Sequence, residues 1–119
     1  GPDNPDVPVT PTGDVLNPSE IRHPLYSADS WLIKYELSQE ILTKMAEANS
    51  VKLKFYSTDK ISNCEIGTTE YGKELFSNFG GQGLPSEISI TATDFNAIWA
   101  KFYGGPEEDF NITATLVIE

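Results

Sequence analysis

The sequence reads as one unit used twice, and this constrains the fold more than any other feature of the chain. Trp31-Leu32-Ile33-Lys34-Tyr35-Glu36-Leu37 alternates in period two, as a half-buried strand does. Ser38 follows as a helix cap. Ile41, Leu42, Met45 and Ala48 then recur at helical spacing, with Glu40, Lys44 and Glu47 outward. Asn49 can take the left-handed conformation that ends a helix. Val51, Leu53 and Phe55 alternate with Lys52, Lys54 and Tyr56 as the second strand. Residues 87–118 repeat the order. Glu87 to Thr91 predicts a strand, Thr93 a cap, and Asp94 to Tyr103 a helix marked by Phe95, Ile98, Trp99 and Phe102. Gly104-Gly105-Pro106 stops that helix. Phe110 to Ile118 predicts a closing strand with Phe110, Ile112, Ala114, Leu116 and Ile118 on one face.

Both helices are too short to stand alone in water, so each needs a β-structure to pack on. Alternating strands imply antiparallel sheets with one wet face. Further strand-like stretches at Val15-Leu16, Ile61 to Ile66 and within 70–80 add to the sheet content. The expectation is a mainly β chain: a two-sheet antiparallel β-sandwich of jelly-roll type with two short helices. The alternative is an α+β fold, one sheet with both helices on one face in ferredoxin-like order.

At 119 residues the chain is sized for one domain, assigned to 15–119. Residues 1–14 read as a tail. Pro2, Pro5, Pro8 and Pro11 recur every third residue, the period of polyproline II, with Asp3 and Asp6 adding self-repulsion. That tail is either a spacer or a merely disordered end. The chain begins at Gly1 without an initiator Met or a signal peptide, which reads as a mature or trimmed form. No run of about eighteen apolar residues is present to span a membrane as a helix.

A formal net charge of −10 opposes nucleic acid and anionic lipid, and the eight basic residues form no cluster. The single cysteine, Cys64, precludes an internal disulfide and a multi-cysteine metal site. It reads as a buried small hydrophobe. A catalytic thiolate there needs a base, and the only histidine, His23, is remote in sequence. With 18 acids, carboxylate pairs arise by coincidence, so no catalytic residue is assigned.

In their order, Leu37-Ser38-Gln39-Glu40-Ile41-Leu42, Ala48-Asn49-Ser50-Val51-Lys52-Leu53, Ile90-Thr91-Ala92-Thr93-Asp94-Phe95 and Phe110 to Ile118 resemble secreted jelly-roll domains with a galactose-binding-like or carbohydrate-binding-module-like fold. Such domains occur in surface lipoproteins of Bacteroides-type bacteria. Asn49-Ser50 stands where those domains carry Gly-Asp, and Tyr71, Phe76 and Phe79 stand where they carry a middle-loop Trp. The resemblance implies a non-catalytic carbohydrate-binding module, secreted and held at the bacterial cell surface by a lipid anchor upstream of this chain. Its partner would be a glycan or, alternatively, a cell-surface protein for which the domain serves as a structural or interaction element of an envelope assembly.

The residues themselves offer a ligand site in 67–83, which mixes aromatics, glycines and amides. Tyr71, Phe76, Phe79 and Gln82 can stack on a sugar face and bond its hydroxyls, or the rings can anchor a long loop to the core. Trp31 is a further candidate. It and Trp99 both fit apolar faces of regular elements and so also fit core positions. Glu107, Glu108 and Asp109 offer hard oxygens to Ca²⁺, or simply form a solvated loop. No cofactor is otherwise implied.

Overall fold

The computed structural model describes residues 12–119. Its strands are β1 (Asp14–Val15), β2 (Pro18–Arg22), β3 (Trp31–Glu36), β4 (Val51–Tyr56), β5 (Asn63–Gly67), β6 (Phe76–Ser77), β7 (Ile88–Ser89), β8 (Ala97–Tyr103) and β9 (Thr113–Ile118), with one helix, α1 (Gln39–Glu47). They form two antiparallel sheets, ordered β1-β9-β4-β7 and β2-β3-β8-β5-β6. The inner faces share one core. Ile33, Tyr35, Ile66, Ile98 and Phe102 from the five-stranded sheet meet Leu53, Phe55, Ile88, Ala114 and Leu116 from the four-stranded sheet. Phe102 and Phe55 touch edge to face across the gap, with centroids 5.3 Å apart. The architecture is the expected β-sandwich, and two sheets rule out the single-sheet alternative.

The first predicted unit is present almost residue for residue. Ser38 Oγ accepts from the Ile41 amide at 3.2 Å and caps α1. Ile41, Leu42 and Met45 lean on the core from outside it. The helix ends differently from expectation. Ala48 is already extended, and the Asn49 and Ser50 amides donate to the Glu119 carbonyl at 2.7 and 2.9 Å. The chain leaving the helix is thus fastened to the residue that follows β9, and no left-handed residue is used.

The second unit is not a copy. The predicted helix 94–103 is strand β8, and it runs down the middle of the five-stranded sheet. It pairs with β3 from Trp31↔Phe102 to Glu36↔Ala97, and with β5 from Asn63↔Tyr103 to Gly67↔Trp99. Most of β8 is buried, so its sequence is a near-continuous apolar run. Such a run carries no usable period, and the helical spacing of Phe95, Ile98, Trp99 and Phe102 is coincidental. Ile98, Trp99, Phe102 and Tyr103 are strand formers. Asp94 sits at φ 63°, a left-handed turn that cannot open a helix, so Thr93 caps nothing. β7 and β9 are shorter than predicted. β2 has no counterpart among the predicted strands, because an edge strand pairs on one side and carries little apolar pattern. Of the predicted 1–14 tail, residues 1–11 lie outside the described residues, and Asp14 belongs to β1.

Two buried hydroxyls, those of Tyr35 and Thr115, have no hydrogen-bond partner among the described residues. Removing the first (Tyr35→Phe) is expected to leave stability unchanged or raise it by about 1 kcal/mol, because an unpartnered donor costs that much or more. Burial, with the Glu65 charge adding to it, pushes the Cys64 thiol up to about 12. Burial also raises the Tyr35 hydroxyl. In the unfolded chain they ionise at about 8.5 and about 10. Above about pH 8.5 the native state therefore holds more protons than the unfolded state, and stability falls as pH rises. Denaturant midpoints between pH 8 and 10.5 should drop more steeply for the wild type than for Cys64→Ala/Tyr35→Phe.

Candidate functional site

Strand alternation decides what the five-stranded sheet shows to solvent. With Ile98, Ala100 and Phe102 in the core, Ala97, Trp99, Lys101 and Tyr103 point the other way. Cross-strand register then builds two rows on this outer face. One runs Glu20–Lys34–Trp99–Gly67, the other Arg22–Leu32–Lys101–Glu65.

Residues 68–74, leaving β5, fold back over the second row as a strap. The buried Lys101, only 3 % exposed, donates from Nζ to the Gly72 carbonyl at 2.8 Å and the Glu70 carbonyl at 3.2 Å. These carbonyls flank Tyr71. Arg22 pairs with the Glu70 carboxylate and, at 2.6 Å, with Glu20. The strap closes on itself where Glu74 accepts from the Thr68 hydroxyl and, at 2.6 Å, from the Thr68 amide. Those bonds hold the Glu74 carboxyl below its ordinary value. Burial lowers Lys101, while the charges of Glu65, Glu74 and Glu70 work against that shift. The strap also explains why Leu32, outside the main core, is fully buried. Its approach needs Gly67, because a side chain there would collide with the Gly72 backbone.

The result is a face on which Trp99, Tyr103 and the strap's Tyr71 are set among paired charges, with Tyr26 stacked on Tyr103 at 6.5 Å. Tyr71 is 67 % exposed at the strap's tip. Trp99 is half-buried on the sheet itself, with Lys34 Nζ 4.7 Å from its ring centroid and Glu36 3.4 Å from the same amine. An open recess of about 310 Å³ lies at the Lys34–Glu36 pair, lined by those two residues with Leu37, Asn96 and Ala97. Trp99 is therefore not a core residue. Reading 97–103 as a strand is the signal that would have placed it outward with Lys101.

The five residues predicted for a ligand site do not come together. Phe76 lies in β6 and packs against the core. Phe79 (80 % exposed) and Gln82 lie on a loop fastened to the start of β5. There Asn78 accepts from the Cys64 amide at 2.8 Å, and the Gly81 amide donates to Asn63 at 2.9 Å. The strap bearing Tyr71 leaves from the far end of β5, about 13 Å along the strand. Trp31 faces inward, where its Nε1 donates to the Pro106 carbonyl at 2.8 Å and its ring meets Phe110 at 5.3 Å. Glu107, Glu108 and Asp109 are exposed on the loop after β8. Among the described residues no three His, Cys, Asp or Glu side chains are grouped to hold a metal ion. Cys64 is sealed in the core, and the His23 ring binds carbonyl oxygens at both nitrogens. An open groove of about 940 Å³ runs between α1 and residues 90–96, with Leu42, Met45, Val51 and Phe95 in its walls.

No protein-family model matches the chain, and neither a curated protein nor a solved structure matches it.

Gly67→Ala is expected to lift the strap. Stability should fall by about 1–3 kcal/mol, the usual cost of overpacking. Amide exchange should quicken across 68–74 and stay unchanged in β4 and β9, as hydrogen-exchange mass spectrometry would read.

Proposed function

We propose that the domain is a non-catalytic glycan-recognition module, secreted and tethered at a bacterial cell surface, and that it reads its ligand on the outer face of the five-stranded sheet. The observation that carries this reading is the placement of Tyr71 and Trp99 on one face. Aromatic rings give a sugar's apolar face a flat partner, and nearby polar groups select its hydroxyls. Among the described residues each cation on this face has a partner. Arg22 holds Glu20 and Glu70, Lys34 faces Glu36 and the Trp99 ring, Lys101 is spent on two carbonyls, and the exposed Lys73 of the strap lies 3.9 Å from Glu65. Together with the net charge of −10, this favours a neutral sugar over a uronic or sulfated one. Glu20 and Glu70 converge on one guanidinium, which offsets one of their two charges and ties both into ion pairs, an arrangement that suits recognition better than acid–base work. The spacer-like proline tail and the resemblance to tethered lipoprotein domains support the location.

Calorimetric titration against neutral and acidic polysaccharides tests the reading. A neutral glycan is expected to bind, with Trp99→Ala and Tyr71→Ala each costing about 2 kcal/mol, as central contacts do. Phe79→Ala should change nothing. Absence of binding across the panel would overturn the proposal.

A second reading, a structural or protein-interaction element of an envelope assembly, is favoured by Phe79. Its bare ring sits at the flank of the short edge strand β6, beside Gly80 and Gly81 in left-handed conformations. Capture of an envelope protein that depends on Phe79 and is not competed by sugar would support this reading over the first.

A further inference from the structure

The chain's single histidine is held at both ring nitrogens by groups that can only accept. His23 Nδ1 lies 2.8 Å from the Ser30 carbonyl oxygen, and Nε2 lies 2.8 Å from the Glu107 carbonyl oxygen. A neutral imidazole has one N–H. In either tautomer it satisfies one of these contacts and aims a lone pair at the other carbonyl. The cationic ring has two N–H groups and satisfies both. We infer that His23 is a proton-dependent clasp, fastening the loop 104–110 to the loop 23–30 when protonated and releasing one arm when neutral.

The surroundings fit that role. The imidazole stacks on Trp31, centroids 3.5 Å apart and planes 9° from parallel, which fixes where both nitrogens point and offers a cation an aromatic face. Trp31 Nε1 grips the Pro106 carbonyl, so the stacked pair holds two successive carbonyls of one loop. The Gly105 amide adds a bond to the Asp29 carbonyl at 3.0 Å. Charged groups on the packed segments are mostly acidic. The loop after β8 brings Glu107, Glu108 and Asp109. The loop before β3 brings Asp29, whose carboxylate accepts from Ser27 Oγ, and Tyr26, which lies against Tyr103. On β2, the neighbouring Arg22 is occupied by Glu20 and Glu70. Of the two arms, the Glu107 contact is the more exposed and is the one expected to open. The contribution of the second arm is present in acid and is lost as the ring gives up its proton.

The test compares wild type with His23→Gln by denaturant unfolding at about pH 5.5 and about pH 8, a range that spans imidazole titration. The gap in folding equilibrium constant should be about tenfold wider at the acidic pH, the size of one charge-assisted hydrogen bond. A gap independent of pH would overturn the clasp. Should the variant not fold, nitrogen-resolved NMR of the wild type decides. The 105–109 amides moving in step with the His23 ring nitrogens supports the clasp. A ring that titrates while those amides stay still overturns it.

Discussion

β8 is the constraint on which the rest of the structure depends. It is hydrogen-bonded on both sides, to β3 along six residue pairs and to β5 along five. Its inward residues supply the middle of the core, where Phe102 meets Phe55 of the other sheet and Phe110 of the final connection. Its outward residues supply the floor of the candidate binding face. A strand cannot slip by one residue without exchanging these two sets. Core packing of Ile98, Ala100 and Phe102 therefore fixes the outward display of Trp99 and Lys101.

Lys101 converts that display into a shaped surface. Burying an ammonium is costly unless its donors are satisfied. Here the charge is met by two carbonyls of the strap, and Glu65, Glu70 and Glu74 lie near enough to favour it. The carbonyls belong to the residues before and after Tyr71, so one buried cation holds both sides of the exposed ring. Arg22 ties the same strap to the sheet edge through Glu70. A segment with few apolar anchors is thereby ordered by charge, which leaves its tip free for contact.

The local reading of the sequence succeeded where one face was wet and the other buried. β3, α1 and β4 have that clean contrast, and Ser38 marks the helix start. It failed at β8, because a central strand covered on both faces loses its alternation and can imitate a helix. That one error created the apparent repeat and sent Trp99 to the wrong side. The sandwich was still legible, since enough other segments alternated. Tyr71 could be read from its aperiodic loop either as an exposed ring or as an anchor on the core, and the strap leaves it exposed. Its neighbours on the face were not legible, because Lys34, Arg22 and Lys101 come together only through register between strands distant in sequence. The His23 clasp was hidden for the same reason, as its acceptors Ser30 and Glu107 lie on two separate loops.

The two tryptophans separate the account from its rivals in one spectrum. Trp31 is turned inward with its indole N–H bonded to Pro106, while Trp99 lies on the outer face. On titration with a neutral oligosaccharide, the Trp99 indole N–H resonance should shift in proportion to occupancy while that of Trp31 stays fixed. Shifts confined to Trp31, or to residues lining the groove beside α1, would contradict the assignment of the outer face as the reading surface.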